Sequence, residues 1–208
     1  MRRVVGFFII VLVLSSSIVP ATASQAQKCA PTPAMTEGPY YLPNMPIRSD
    51  ITEGLPGIKT RLTLTVLDKN CKAVPNAQVD IWHTNAVGEY SGVEGNAGTY
   101  MRGSQVTGAN GKVTFSTVFP GWYPARTMHI HAKVWTNGSE VLTTQLYTSD
   151  KVSSRVYAMG PYKTRGQQKV NNSKDRIYKS LGVNSKPLTL KAKVSQTNIS
   201  LNGTFVLS

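Results

Sequence analysis

Cysteine, histidine and acidic residues are all scarce in this chain: of 208 residues, 2 are Cys, 3 are His and 10 are Asp or Glu. Two cysteines cannot build a four-cysteine zinc ribbon or a four-cysteine iron–sulfur cluster. No sequence period recurs, which excludes an array of helical repeats. The patterns G-x-G-x-x-G, G-x-x-x-x-G-K-[ST] and G-x-S-x-G are missing, so nucleotide binding and the nucleophile-elbow hydrolase layout have no support. Charged residues make up only 16% of the chain and hydrophobic ones 40%, the balance of one ordinary folded domain rather than a disordered chain.

Long apolar runs are also rare. Residues 4–14 form the one sizeable run, preceded by Arg2 and Arg3 and followed by Ala21-Thr22-Ala23. That order is the basic region, apolar region and small-residue cleavage site of a secretory signal. Ser15, Ser16 and Ser17 break the run short of the roughly 20 residues needed to span a bilayer. Residues 1–23 are therefore expected to be a signal peptide cleaved near Ala23, giving a secreted chain with no membrane contact; an uncleaved anchor is the alternative. Export makes a Cys29–Cys71 disulfide the expected state of the two cysteines. The bond would close a loop of 71 − 29 = 42 residues, worth roughly 3 to 4 kcal/mol, and pin the N-terminal segment to the core. Four N-x-[ST] sequons, at Asn137, Asn171, Asn198 and Asn202, leave glycosylation open.

The shortage of acid is uneven. Residues 24–150 hold 10 basic and 9 acidic side chains, whereas residues 151–208 hold 11 basic ones and only Asp175. Such a segment is able to attract a polyanion, and equally serves as a solvated surface. No docking helix or stacking-aromatic pattern of a nucleic-acid module accompanies it, so no nucleic-acid partner is expected.

A period of two dominates the chain beyond the signal-like segment. Leu62, Leu64 and Val66 alternate with Thr63 and Thr65, and Val113 and Phe115 with Thr114 and Ser116. Further strand-like runs cover residues 77–83, 129–136, 141–148, 188–194 and 199–207. Turn chemistry separates them: Asp68-Lys69-Asn70, Pro75-Asn76, Asn110-Gly111, Asn137-Gly138 and Asn202-Gly203. The expected fold is all-β, an antiparallel β-sandwich with long loops and one short helix over residues 173–181. A looser arm, residues 24–58, precedes a single domain at 59–208.

The residues that carry chemistry lie between Phe119 and His131. On a strand, His129 and His131 point to one face while Ile130, Ala132 and Val134 line the other. Two adjacent imidazoles suit one metal ion, although H-x-H alone is a weak signal. Tyr123, six residues earlier in a Pro/Gly-rich turn, and Tyr90, in a loop after the 77–83 strand, are oxygen donors able to complete a shell. A free phenol titrates near 10, but a bound trivalent cation holds it deprotonated. Two phenolates and two neutral imidazoles favour Fe(III) over Fe(II) by charge and hardness. Such a shell offsets two of three positive charges and leaves room for a chelating catechol. His83 at a strand end offers another reading, a three-histidine zinc site with His129 and His131.

Together with other stretches in order, these residues resemble the intradiol ring-cleavage dioxygenases, the protocatechuate and catechol dioxygenase family, and most of all its small secreted branch. The resemblance runs from Thr36-Glu37-Gly38-Pro39-Tyr40-Tyr41 through Pro75-Asn76-Ala77-Gln78-Val79-Asp80-Ile81-Trp82-His83, Gly88-Glu89-Tyr90-Ser91 and Arg102-Gly103-Ser104-Gln105. It continues through residues 120–131 and Thr144-Gln145-Leu146-Tyr147 to Pro161-Tyr162. It implies a non-haem Fe(III) held by Tyr90, Tyr123, His129 and His131, with Tyr123 the tyrosinate that substrate displaces. Arg126 and Gln145 match active-site positions of the family, Tyr123 is implied to accept a substrate proton, and Tyr40 and Tyr41 are candidates for lining the substrate pocket. The implied reaction is cleavage of a catechol-type ring between its hydroxyls by O2, giving a cis,cis-muconate-type diacid. Ala125 stands where relatives usually carry Gly, Gly108 where Asp is common and Thr148 where Phe is common. A secreted β-sandwich binding module for aromatics or polyanions, without turnover, is the alternative from another class. Arg48 and Arg102 would pair with an acidic substrate if they faced the site.

Overall fold

Alternation of β-branched and apolar residues with polar ones gives eight strands in the computed structural model, which describes residue 1 and residues 29–208. The signal segment expected at residues 1–23, with its cleavage site, lies outside the described residues. In chain order the strands are β1 (Lys59–Leu67), β2 (Gln78–Trp82), β3 (Arg102–Val106), β4 (Lys112–Val118), β5 (His129–Thr136), β6 (Ser139–Tyr147), β7 (Lys191–Val194) and β8 (Asn198–Val206). They form two four-stranded sheets, ordered β4-β1-β8-β7 and β3-β2-β5-β6. Inward side chains fill the space between: Leu62, Leu64 and Val66 of β1, Phe115 of β4, and Leu201 and Phe205 of β8 meet Val79 and Ile81 of β2 and Ile130, Ala132 and Val134 of β5. Each such side chain contributes roughly 1.5 to 3 kcal/mol on leaving water. This is the expected β-sandwich, antiparallel in every strand pair except β1 with β8, which run parallel.

Three features depart from the sequence reading. Strand β3 has no counterpart in it, because Arg-Gly-Ser-Gln-Val has no apolar alternation; pairing with β2 supplies what propensity does not. Helix α1 (Asp150–Tyr157) has none either, its serines and valines being poor helix formers. It forms because the Ser149 side chain accepts from Val152 N, Asp150 sits in the first turn, and Val156 and Tyr157 are buried. The helix expected over 173–181 contracts to α2 (Arg176–Lys179), capped by Asp175. Short 3-10 segments occupy Gly160–Arg165 and Gly182–Leu188, so β7 begins only at Lys191.

Register positions the chemistry. Antiparallel pairing sets Trp82 opposite His131, His131 opposite Gln145, and His129 opposite Tyr147. These residues share the face of the second sheet that looks away from the core. That face is nevertheless buried, because the segment before β1 lies across it: Met35 N donates to Thr143 O, and Thr144 Oγ1 donates to Pro33 O. The segment is anchored at Cys29, which forms a disulfide with Cys71 in the β1–β2 connection. Thr32 ties it to β8, donating its N–H to Val206 O at 2.9 Å and accepting from Val206 N at 2.8 Å. A protein with both cysteines changed to serine is expected to fold to the same circular dichroism spectrum and to lose about 3 to 4 kcal/mol, measured as a lower urea midpoint at unchanged slope.

Candidate metal centre

Four side chains converge at the end of β5. Oη of Tyr123 lies 3.1 Å from Nε2 of His129, and Oη of Tyr90 lies 3.3 Å from the same nitrogen and 3.1 Å from Nε2 of His131. Donor atoms bonded at about 2.0 to 2.1 Å to one ion stand roughly 3 Å from one another, the spacing found here. The tautomer of His129 fits as well: its Nδ1–H donates to Thr127 O at 2.7 Å, leaving the Nε2 lone pair facing the phenols. The ring of His131 stacks on Trp82 with centroids 4.8 Å apart and planes at 11°. At the ring's Cε1 edge Gly38, at φ +75°, presses so close that a Cβ there would sit 3.2 Å from the imidazole Cε1. Chemistry and geometry of the donor set both fit a hard trivalent ion.

Burial sets the protonation states. His129 is 3% exposed and His131 2%; burial, reinforced by the Arg126 guanidinium, pushes His129 down to about 3, and burial beside His129 pushes His131 well below its usual value. Both imidazoles are thus neutral donors at any physiological pH. Burial acts the opposite way on the phenols, raising Tyr90 strongly and Tyr123 less, since Arg126 pulls Tyr123 back. A cation entering the site must displace those two protons. Tyr90 is 4% exposed, whereas Tyr123 is only half-buried, on a turn where Ala125 holds φ +68°. That left-handed backbone is disfavoured for any residue with a Cβ and would be met without strain by glycine.

Arg126 stands beside the cluster, Nη1 3.3 Å from His129 Nε2. Its Nε donates to Asp175 Oδ2 at 2.8 Å and its Nη2 to Gln145 Oε1 at 2.6 Å. Gln145, fully buried, also accepts from Tyr147 Oη at 2.9 Å and donates to Thr36 O at 2.8 Å. It braces Arg126 rather than opening onto the cleft. Tyr40 reaches the cluster through its ring, 4.7 Å from that of Tyr90, with its hydroxyl bonded to Glu94. Tyr41 does not reach it: Trp82 intervenes, and the Tyr41 hydroxyl donates to Asp80 Oδ2 at 3.2 Å on the far side. Arg48 pairs with Glu53 at 2.9 Å, and Arg102 donates to Tyr40 O and Ser91 O, so neither faces the site. Arg102 instead joins the segment carrying Tyr40 to the loop carrying Tyr90.

The zinc reading does not survive this geometry. Nδ1 of His83 donates to Thr84 O and Nε2 is bonded to Thr117 Oγ1, so both ring nitrogens are engaged away from His129 and His131. Among the described residues no three His, Cys, Asp or Glu side chains are grouped to hold an ion. The residue that sequence reasoning missed is Asp175. It is 0% exposed, and besides Arg126 it accepts from the N–H groups of Thr127, Ile177 and Tyr178 at 2.8 to 3.0 Å. Its one sequence signal is being the lone acid among eleven bases. A cleft of about 660 Å³ opens beside Arg126, walled by Met35 and Thr36, by Ala125 of the turn, and by Arg176 and Ile177 of α2.

A family model described as Dioxygenase matches residues 36–158. The structure superposes on an intradiol ring-cleavage dioxygenase from Tetranychus urticae with TM-score 0.80 at 30% identity, covering 86% of this chain and 95% of that one. The dioxygenase domain of a dioxygenase carbohydrate-binding protein fusion from Streptomyces sp. SirexAA-E gives 0.67 at 31% identity, covering 86% and 99%. Among curated relatives, chlorocatechol 1,2-dioxygenase of Pseudomonas putida is 28% identical over 156 residues, 64% of this chain and 59% of that enzyme. The chain therefore spans about three fifths of that relative's length.

Two outcomes test the electrostatics of the cluster. Asp175→Asn leaves the buried Arg126 charge uncompensated and is expected to cost roughly 3 to 5 kcal/mol in denaturant unfolding. Acidification is expected to destabilise the metal-free protein between about pH 6.5 and pH 4. The unfolded chain takes up protons on its histidines near 6.5, while in the folded protein His83 is lowered to about 4 and His129 to about 3. Stability is complete above the higher value and lost as pH falls toward the lower ones; urea midpoints that stay level across this window would contradict buried neutral imidazoles.

Proposed function

The chain belongs to the intradiol ring-cleavage dioxygenase family, and from that premise we propose that it cleaves the ring of catechol-type substrates between the two hydroxyls. Both atoms of O2 enter the product, a cis,cis-muconate-type diacid. The observation that carries this reading is the approach of two phenol oxygens and two imidazole nitrogens to within 3.1 to 3.3 Å at one point. Tyr90, Tyr123, His129 and His131 would hold a non-haem ferric ion there. When bound, the ion supplies a hard trivalent centre that chelates the adjacent oxygens of a catechol and activates the ring toward O2.

The protein's own groups divide the remaining work. Tyr123, half-buried on a turn, is free to leave the cluster, and its Oη then accepts a proton from the incoming catechol. Tyr90 and the two imidazoles are fixed by burial and stay. The Arg126 guanidinium, held by Asp175 and Gln145, stabilises negative charge as the ring becomes electron-rich. Tyr40 lies against Tyr90 at the edge of the cluster and is a candidate wall for the bound ring. The segment over residues 33–41 and the loop around Tyr90 screen the cluster from water. Export of the chain belongs to the same proposal, supported by the Cys29–Cys71 bond, which forms and persists in an oxidising compartment.

Residues 24–208 produced with iron are expected to be coloured by tyrosinate-to-iron charge transfer, and Tyr90→Phe and Tyr123→Phe each to shift that band. Oxygen-electrode assays with catechol, protocatechuate and hydroxyquinol should show uptake, with a product cleaved between the hydroxyls. Tyr123→Phe should lower kcat by about 10²-fold or more, the usual weight of a positioned proton acceptor. A colourless protein with stoichiometric iron, or ligand binding without oxygen uptake, would leave a non-catalytic binding module in place of the enzyme.

A further inference from the structure

Of the two arginines that wall the cleft, one has its place in the ring-cleavage reading and one does not. Arg126 is held by Asp175 at 2.8 Å beside the cluster. The guanidinium of Arg176, one residue along from that carboxylate and exposed at the cleft mouth, takes part in no ion pair or hydrogen bond among the described residues. Nor does its own neighbourhood in the chain offer a partner. The only acid in residues 151–208 is Asp175, which is 0% exposed and committed to Arg126 and to the cap of α2. Arg48 and Arg102, the arginines that sequence reasoning put forward for an acidic substrate, are occupied elsewhere.

The rest of the cleft is suited to a ring with a tail. Met35 and Ile177 supply apolar wall, and about 660 Å³ is the size of site that takes a drug-sized ligand rather than one six-membered ring. Arg126, whose Nη1 lies 3.3 Å from His129 Nε2, joins the cleft to the cluster, so a catechol held at the cluster has room to extend past Arg126 toward Arg176. What it meets there is a guanidinium without a counter-charge, the side chain best suited to pair with a planar carboxylate.

We propose that Arg176 is a specificity residue that selects catechols bearing a carboxylate on a short side chain. The proposal rests on the ring-cleavage reading for its substrate and on the cleft geometry for its charge. Opposite charges at such a mouth interact in high dielectric and are screened by salt, so the preference is about tenfold and shrinks as ionic strength rises.

The test pairs 3-(3,4-dihydroxyphenyl)propionate with 4-propylcatechol, which resembles it in size but has no charge. The wild-type enzyme is expected to favour the acid by about tenfold in kcat/KM. Arg176→Gln should raise the KM of the acid about tenfold relative to that of the neutral catechol without changing the ratio of the two kcat values, and Arg176→Lys should restore part of the preference. A second measurement needs no turnover: 3-phenylpropionate, which cannot chelate iron, should bind the metal-free protein in calorimetry and bind Arg176→Gln about tenfold more weakly. Equal effects of Arg176→Gln on both catechols, or binding of phenylpropionate that is absent or indifferent to the substitution, overturns the role of Arg176. Failure of both catechols to consume O2, with the phenylpropionate difference intact, overturns the ring-cleavage reading instead.

Discussion

A carboxylate without exposed surface, Asp175, is the constraint on which the arrangement of the site turns. Its two oxygens serve four donors: the Arg126 guanidinium, the N–H of Thr127 and the first N–H groups of α2. One anion therefore fixes the charge beside the cluster, the backbone two residues before His129, and the short helix that closes the cleft. Burying a carboxylate is costly unless it is paired and hydrogen-bonded. Here the compensation is complete, and the interactions that supply it are also the ones that orient the reactive groups. Four residues of α2 are too few to hold a helix by propensity; the cap and the packing do so.

The opposite wall is held by a different device. Arg102, almost entirely buried, directs its donors to backbone and hydroxyl oxygens, linking Tyr40 O to Ser91 O and Oγ. It acts as a strut between the N-terminal segment and the Tyr90 loop. Trp82 stacks on His131 and Gly38 presses against its Cε1 edge, so that imidazole is fixed by shape, while His129 is fixed by a hydrogen bond to Thr127 O. Three of the four converging side chains are therefore packed in. Tyr123 differs by lying on a turn that contains a strained Ala125, and it is the most accessible of the set.

Much of this is legible in the sequence. Period-two alternation exposes β1 and β4 because Leu62, Leu64 and Val66 in one and Val113 and Phe115 in the other alternate with outward Thr63, Thr65, Thr114 and Ser116. H-x-H is readable for the same reason: the strand period places two imidazoles on one face without any tertiary knowledge. Strand β3 is not readable, since it owes its state to pairing with β2. Helix α1 is hidden by poor helix formers, and its cap by a single serine. The parallel partnership of β1 and β8 has no local signature at all, because nothing in either strand encodes the direction of a partner 198 − 59 = 139 residues away. Tyr41 misleads for a simple reason: the backbone turns at Pro39–Tyr40, so Tyr40 faces the cluster while Tyr41 faces Asp80. Asp175 is invisible as a partner of Arg126, 49 positions earlier, although its isolation among bases is plain.

The parallel pair has a bearing on how the molecule is made. Strand β1 lies inside its sheet between β4 and β8, and β8 ends at Val206, whose backbone also clasps Thr32. Until that last strand emerges, one edge of β1 has no neighbour and the apolar row of Leu62, Leu64 and Val66 lacks half its cover. Closure of this sheet accordingly waits for β8, and with it the clasp that holds the N-terminal segment at Thr32, so the sandwich depends on a contact between strands far apart in the chain.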